Sequence, residues 1–110
     1  MISGAAPSLT RRRDFDALFR HGRRIRLGVL TVVRACVDDD TRVAVVAPKS
    51  VGSAVERNRA KRRIRAALRS ITLPPHEHIA ILATKQVRSM PFDALVERLQ
   101  EGLEREDAHA

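Results

Sequence analysis

Between Arg57 and Arg69 the chain places seven basic residues and no Asp or Glu: Arg57, Arg59, Lys61, Arg62, Arg63, Arg65 and Arg69. A guanidinium is a rigid fork that pairs with phosphate oxygens and stacks on flat rings, so this density of Arg suits the holding of a polyanion. At about 100° per residue, Asn58, Arg62, Arg65 and Arg69 share one side of a helix, opposite Ala60, Ile64, Ala67, Leu68 and Ile71. Arg59 and Arg63 flank one edge of the basic side and Lys61 the other. Arg57 points nearer the apolar stripe, where backbone or sheet-end groups are its natural partners, and Val55 falls off the stripe. A merely solvated charge run alternates with acids one turn away; here like charges repel by a few tenths of a kcal/mol per pair unless a partner supplies negative charge. A membrane-surface helix needs bulky apolar residues opposite its charges, whereas this stripe is short and Ala-rich and better fitted to a sheet.

The other reactive side chains are thinly spread. Phe15 and Phe19, one helical turn apart, could stack unpaired bases; periodicity alone favours packing of a helix on a core. Asp38-Asp39-Asp40 reads as a hairpin turn rather than a metal site, because Asp favours turns and neighbouring strand-end side chains diverge. His76 and His78 sit beside Pro74-Pro75 with no spaced third ligand and read as loop histidines. Cys36, the only cysteine, excludes an internal disulfide and a cysteine-based zinc cluster, and its expected role is that of a buried small apolar residue. Nothing here could align a water between two metal ions, so no catalytic residue and no metal ligand of the chain is expected.

These residues must be held by a small number of elements. Thr10 is expected to cap a first helix running to about His21, stopped by Gly22, with Phe15, Leu18 and Phe19 on one face. Arg23, Arg24 and Arg26 lead into a β-rich run, Val29 to Val37, and a second run follows from Arg42 to Ala47, ended by Pro48. The acidic triplet between them makes a hairpin signature. Ser53 and Glu56 form a capping box, so the basic helix should begin near Ala54 and reach about Ser70. Ile79 to Ala83 is a short strand candidate, and Phe92, Leu95, Val96, Leu99 and Leu103 stripe a last helix to about Arg105. A strand, the basic helix and a strand in succession predict two parallel strands joined by a basic crossover. The fold class is α/β (α+β), a two-layer sandwich in the order α-β-β-α-β-α.

At 110 residues this is the length of one domain, with residues 1–8 a loose N-terminal arm. The charge is uneven: residues 1–70 hold 17 Lys or Arg and 6 Asp or Glu, a net of +11, and residues 71–110 hold 4 and 7, a net of −3. Arg outnumbers Lys 18 to 3. Such a one-sided field is suited to a polyanionic partner. No apolar run reaches the roughly 20 residues of a membrane span and no signal peptide opens the chain, so a cytoplasmic protein without a membrane partner is expected.

The segment Val51 to Arg65, V-G-S-A-V-E-R-N-R-A-K-R-R-I-R, resembles the signature of the bacterial ribonuclease P protein component family, whose hallmark is R-N-R (Arg57-Asn58-Arg59) followed by K-R (Lys61-Arg62). Phe15, Phe19 and Gly22 stand where that family has F-x-x-x-F and a glycine, and Lys49-Ser50-Val51-Gly52 resembles its K-K-x-G turn. Ser50 replaces the usual second lysine, Pro48 a small polar residue and Val33 a frequently aromatic strand residue, and the arginine often following the third strand is missing near Ala83-Thr84.

The resemblance implies an RNA-binding subunit of a ribonucleoprotein endonuclease that removes the 5′ leader of precursor tRNA. It implies that Arg57, Asn58, Arg59, Lys61, Arg62, Arg63, Arg65 and Arg69 meet the catalytic RNA, and that Phe15, Phe19, Val33 and Lys49 meet the leader. Cleavage would then belong to the RNA and its Mg²⁺, with no cofactor held by the chain, and the crossover would be left-handed against the usual rule. Two rivals are a ribosomal or other structural RNA-binding protein and a helix-turn-helix DNA regulator. The second is disfavoured because strands, not a short helix and turn, precede the basic helix, and no DNA partner is expected.

Overall fold

The computed structural model describes residues 2, 3 and 6–105; Met1, Gly4 and Ala5 of the expected loose arm lie outside the described residues. In chain order the elements are β1 (Ile2–Ser3), α1 (Arg12–His21), β2 (Arg23–Arg26), β3 (Leu30–Cys36), β4 (Arg42–Val46), α2 (Ala54–Leu68), β5 (Thr72–Leu73), β6 (Glu77–Ala83) and α3 (Phe92–Glu104). Short 3₁₀ turns at Lys49–Val51 and Lys85–Arg88 precede α2 and α3. The architecture is mixed α+β, as the residue pattern predicts. The arm is better anchored than expected: β1 pairs with β5, and around Ser8 the Pro7 carbonyl and the Leu9 amide both bond Val43.

The main sheet has the order β2-β3-β6-β4, antiparallel except for the parallel pair β4 and β6. The parallel strands joined by the basic helix are therefore present. The predicted hairpin between β3 and β4 is not, because β6 is inserted between them. The reason lies in burial: Val32, Val33, Ile79, Ala80 and Ile81 have no exposed surface, so β3 and β6 are apolar on both faces and occupy the centre. The true hairpin joins β2 to β3, pairing Ile25 with Val32. The lead-in Arg23 to Arg26 is thus itself a strand at the sheet edge, with Ile25 buried between the exposed Arg24 and Arg26.

Helices α2 and α3 cover one face of this sheet. Ala60, Ile64, Ala67 and Leu68 of α2, with Leu95, Leu99 and Leu103 of α3, pack on Ile25, Val32, Ile79 and Ile81. Helix α1 crosses part of the other face, where Leu18 packs with Leu9, Val33 and Ala80. Gly22 stands at the C-cap of α1, where only glycine fits: a Cβ there would lie 2.5 Å from the Leu18 carbonyl oxygen and 2.9 Å from Val33 Cγ1. Thr10 does not cap this helix; Arg11 stands at the N-cap with no side-chain bond. Phe92, expected on the buried stripe of α3, is exposed at its first position.

Candidate nucleic-acid interface

The start of α2 is fixed by local chemistry. Gly52 takes a φ of 146°, which L side chains rarely adopt. Ser53 then caps the helix: its hydroxyl accepts from the Glu56 amide, and the Glu56 carboxylate accepts from the Ser53 amide. Glu56 also meets Arg88 in a close ion pair, and Arg88 donates to the Val51 carbonyl at 2.9 Å. That backbone bond from Ser53, with Arg88 nearby, holds the Glu56 carboxyl below its usual range.

The expected basic side chains divide by what holds them. Arg57 donates through Nε to the Ala47 carbonyl at 3.0 Å, pinning α2 to the end of β4. Arg63 donates to the carbonyls of Val87 and Met90, pinning α2 to the turn before α3. Both are half-buried and occupied by the fold. Asn58, Arg59, Arg62, Arg65 and Arg69 are exposed and Lys61 is half-buried. Among the described residues these six have no side-chain hydrogen bond or ion-pair partner. The helix thus presents a row of uncommitted donors on the side opposite its core residues, as its spacing predicts. Arg59 also lines a groove with Lys85, Gln86 and Ser89, residues that no sequence signal grouped with it.

On the opposite face of the sheet, Phe15 and Phe19 are half-buried, with ring centroids 4.6 Å apart and planes tilted by 45°. Beside them lie Ala44 and Leu82, also half-buried, so this part of the face is an apolar surface not fully covered by α1. Arg24 places its guanidinium carbon 5.5 Å from the centre of the Phe19 ring and donates to the Phe19 carbonyl. Residue reasoning missed Arg24; the period-2 alternation of Arg23 to Arg26 was the available signal. Lys49 is exposed just past the end of β4, close in sequence to the start of α2. Val33, expected to face the leader, has no exposed surface; it lies under α1 and serves as the floor on which Leu18 and Gly22 rest.

Two histidine and cysteine readings change. His78 is in β6, not a loop, and its side chain is only 7% exposed. Cys36 is exposed at the end of β3 instead of buried. The acidic triplet does make a connection: Asp39 accepts from Arg42 Nε at 3.0 Å and from the Asp40 amide, which hold its carboxyl below the usual range. Among the described residues no group of three or more His, Cys, Asp or Glu side chains could hold a metal ion. No described helix is long and apolar enough to cross a membrane.

A family model, Ribonuclease P, matches residues 5–107. The chain belongs to the ribonuclease P protein family. The ribonuclease P protein component of Symbiobacterium thermophilum is 34% identical over 101 residues, covering 88% of each chain. That of Mycobacterium bovis is 35% identical over 100 residues, covering 88% of this chain and 86% of its own. The solved RNase P protein from Thermotoga maritima superposes with a TM-score of 0.79 at 26% identity, over 89% of this chain and 96% of its own. That from Staphylococcus aureus, at 22% identity and a TM-score of 0.75, shares the fold. The uncommitted row on α2 takes in Asn58 and Arg59 of the R-N-R segment and both residues of K-R, while Arg57 is spent on the Ala47 carbonyl; the family brings with it an RNA partner and a role in tRNA processing.

Proposed function

We propose that this chain docks the exposed side of α2 on the catalytic RNA of ribonuclease P and holds the single-stranded 5′ leader of precursor tRNA beside α1. The observation that carries this reading is the row Asn58, Arg59, Arg62, Arg65 and Arg69, exposed, uncommitted and backed by a buried stripe. Phosphates are the natural partners of such a row, and each one neutralised releases counterions from the RNA. On the second face, Phe15 and Phe19 offer ring surface to unpaired bases, with Arg24 beside them for the backbone and Lys49 as a further cation near the end of β4. Stacking of this kind is worth roughly 1–3 kcal/mol per base and tolerates any sequence, which suits leaders that vary between tRNAs.

The chemistry of cleavage falls to the RNA and its Mg²⁺, with the chain supplying binding energy and position. The test is to mix catalytic RNA with precursor tRNA at low Mg²⁺, with and without the chain. Release of the leader should depend on the added chain. Binding of the RNA without any gain in trimming would favour a structural RNA-binding protein instead.

A further inference from the structure

At the N-terminal end of α2 an open groove of about 430 Å³ separates the helix from the 3₁₀ turn Lys85–Arg88. Glu56 and Arg59 line it from the helix; Lys85, Gln86, Arg88 and Ser89 line it from the other side. Its one acid is already spent: the Glu56 carboxylate accepts from the Ser53 amide and pairs with Arg88. With Arg88 matched to Glu56, the charges of Arg59 and Lys85 stand uncompensated on the two walls. Both side chains are exposed, and neither has a hydrogen-bond or ion-pair partner among the described residues. Gln86 and Ser89 add an amide and a hydroxyl, exposed and likewise without side-chain partners among the described residues.

The turn is tied firmly to the helix. Val87, inside it, has no exposed surface. Arg63 of α2 donates to the Val87 and Met90 carbonyls, and Arg88 donates to the Val51 carbonyl just ahead of α2. The backbone that carries Lys85 is therefore held at a fixed distance from Arg59, although the two are far apart in sequence. Like charges facing each other repel unless an anion lies between them. Arg59 belongs both to this groove and to the exposed row of α2, so a polyanion lying along the row reaches the groove. A phosphate accepts from both cations, and the amide and hydroxyl beside them suit a ribose with its 2′-hydroxyl. We propose that the groove seats one backbone phosphate of the catalytic RNA between Arg59 and Lys85, with Gln86 and Ser89 against the adjoining ribose. The RNA interface thus steps off α2 onto the turn before α3. This inference rests on the reading of α2 as the face that docks on the catalytic RNA.

The experiment measures binding of the full chain to the catalytic RNA across a series of salt concentrations. Lys85→Gln and Arg59→Gln each remove one charge from an exposed side chain and should leave the melting temperature unchanged. Each should weaken binding roughly threefold or more, whereas Lys85→Arg, which keeps the charge, should bind as the original chain does. Because one phosphate is shared, the double variant should lower the salt slope by about 1 in all. A fall of about 2 would mean two separate phosphates, and unchanged affinity for Lys85→Gln would mean none at the turn; either result overturns the seat. A photocrosslinker attached to Ser89→Cys in a Cys36→Ser chain then identifies the RNA in the assembled complex with precursor tRNA. Crosslinks to the catalytic RNA support the proposal; crosslinks to the tRNA alone, or to neither, overturn it. Replacing Arg62 and Arg65 together by Ala tests the underlying reading separately. Full binding by that variant would remove α2 as the docking face, whereas its loss beside intact binding by Lys85→Gln would remove the groove alone.

Discussion

Arg62 and Arg63 are neighbours with opposite fates, and the difference is a matter of angle. One helical step, about 100°, carries a guanidinium from open solvent to the carbonyls of Val87 and Met90. Bonds from a charged donor to buried carbonyls are worth roughly 1.5–3 kcal/mol, so Arg63→Ala should lower unfolding stability by about that much, whereas Arg62→Ala should leave it within about 0.5 kcal/mol. Urea melts of the two variants check this, and equal stability would mean that Arg63 does not hold the turn. Glu56 gives a prediction in pH. Its folded pKa lies below the ordinary value of 4.5, so the stabilisation it provides is complete above that value and drains away as pH falls through the lower folded one. The stability advantage over Glu56→Gln should therefore shrink on acidification across that window; an advantage that stays flat from neutral pH to below the window would contradict the capping arrangement.

At the scale of elements, α2 was legible because its signals are local. The Ser53 and Glu56 box, the apolar stripe and the charge row all fall within one short segment, and each agrees with the others. Replacing Arg62 and Arg65 together by Ala should leave the melting temperature unchanged, weaken binding to the catalytic RNA, and reduce the salt slope of that binding by at most about 2. An unaltered slope and affinity would remove this side of α2 from the interface. The sheet order was not legible, because β3 finds its inner partner in β6, more than forty residues on, across α2. A local alternation reports that a strand exists and which face is buried, not which strand lies next to it. The same distance hid the ion pair between Arg34 of β3 and Glu77 of β6. Both are about 93% buried, with two contacts of 2.8 Å, and Arg34 also donates to the Gly102 and Arg105 carbonyls at the end of α3. Glu77→Gln would strand a buried cation, and a loss of roughly 3–5 kcal/mol is expected in denaturant unfolding. A loss under about 1 kcal/mol would show that water screens the pair.

Across the whole molecule, charge and exposed surface divide the work. The excess of positive charge lies in residues 1–70, which include α1, β2 and α2, while α3 carries Asp93, Glu97, Glu101 and Glu104. Polyanions are thereby drawn toward α2 and the α1 side of the sheet. Which members of the basic set are spent on the fold could be read only in part: spacing placed Arg57 near the core but left Arg63 at an edge, and its carbonyl partners lie more than twenty residues away. The placement of Val33 beneath α1 depends on how closely Gly22 lets the helix approach, a tertiary distance with no local signature.

The central claim is that the α1 side of the sheet recognises the leader, and the affinity of the assembled ribonucleoprotein for precursor over mature tRNA tests it most directly. Only the precursor has unpaired leader bases, while the catalytic RNA is available to the tRNA body in both. Adding the chain should tighten precursor binding far more than mature binding. Phe15→Leu or Phe19→Leu, which keeps apolar volume but loses the flat ring, should reduce that preference by roughly 1 kcal/mol, about fivefold, with little change in melting temperature. If both substitutions weaken the two tRNAs equally and lower the melting temperature, the rings belong to the core and the leader cleft is not where this account places it.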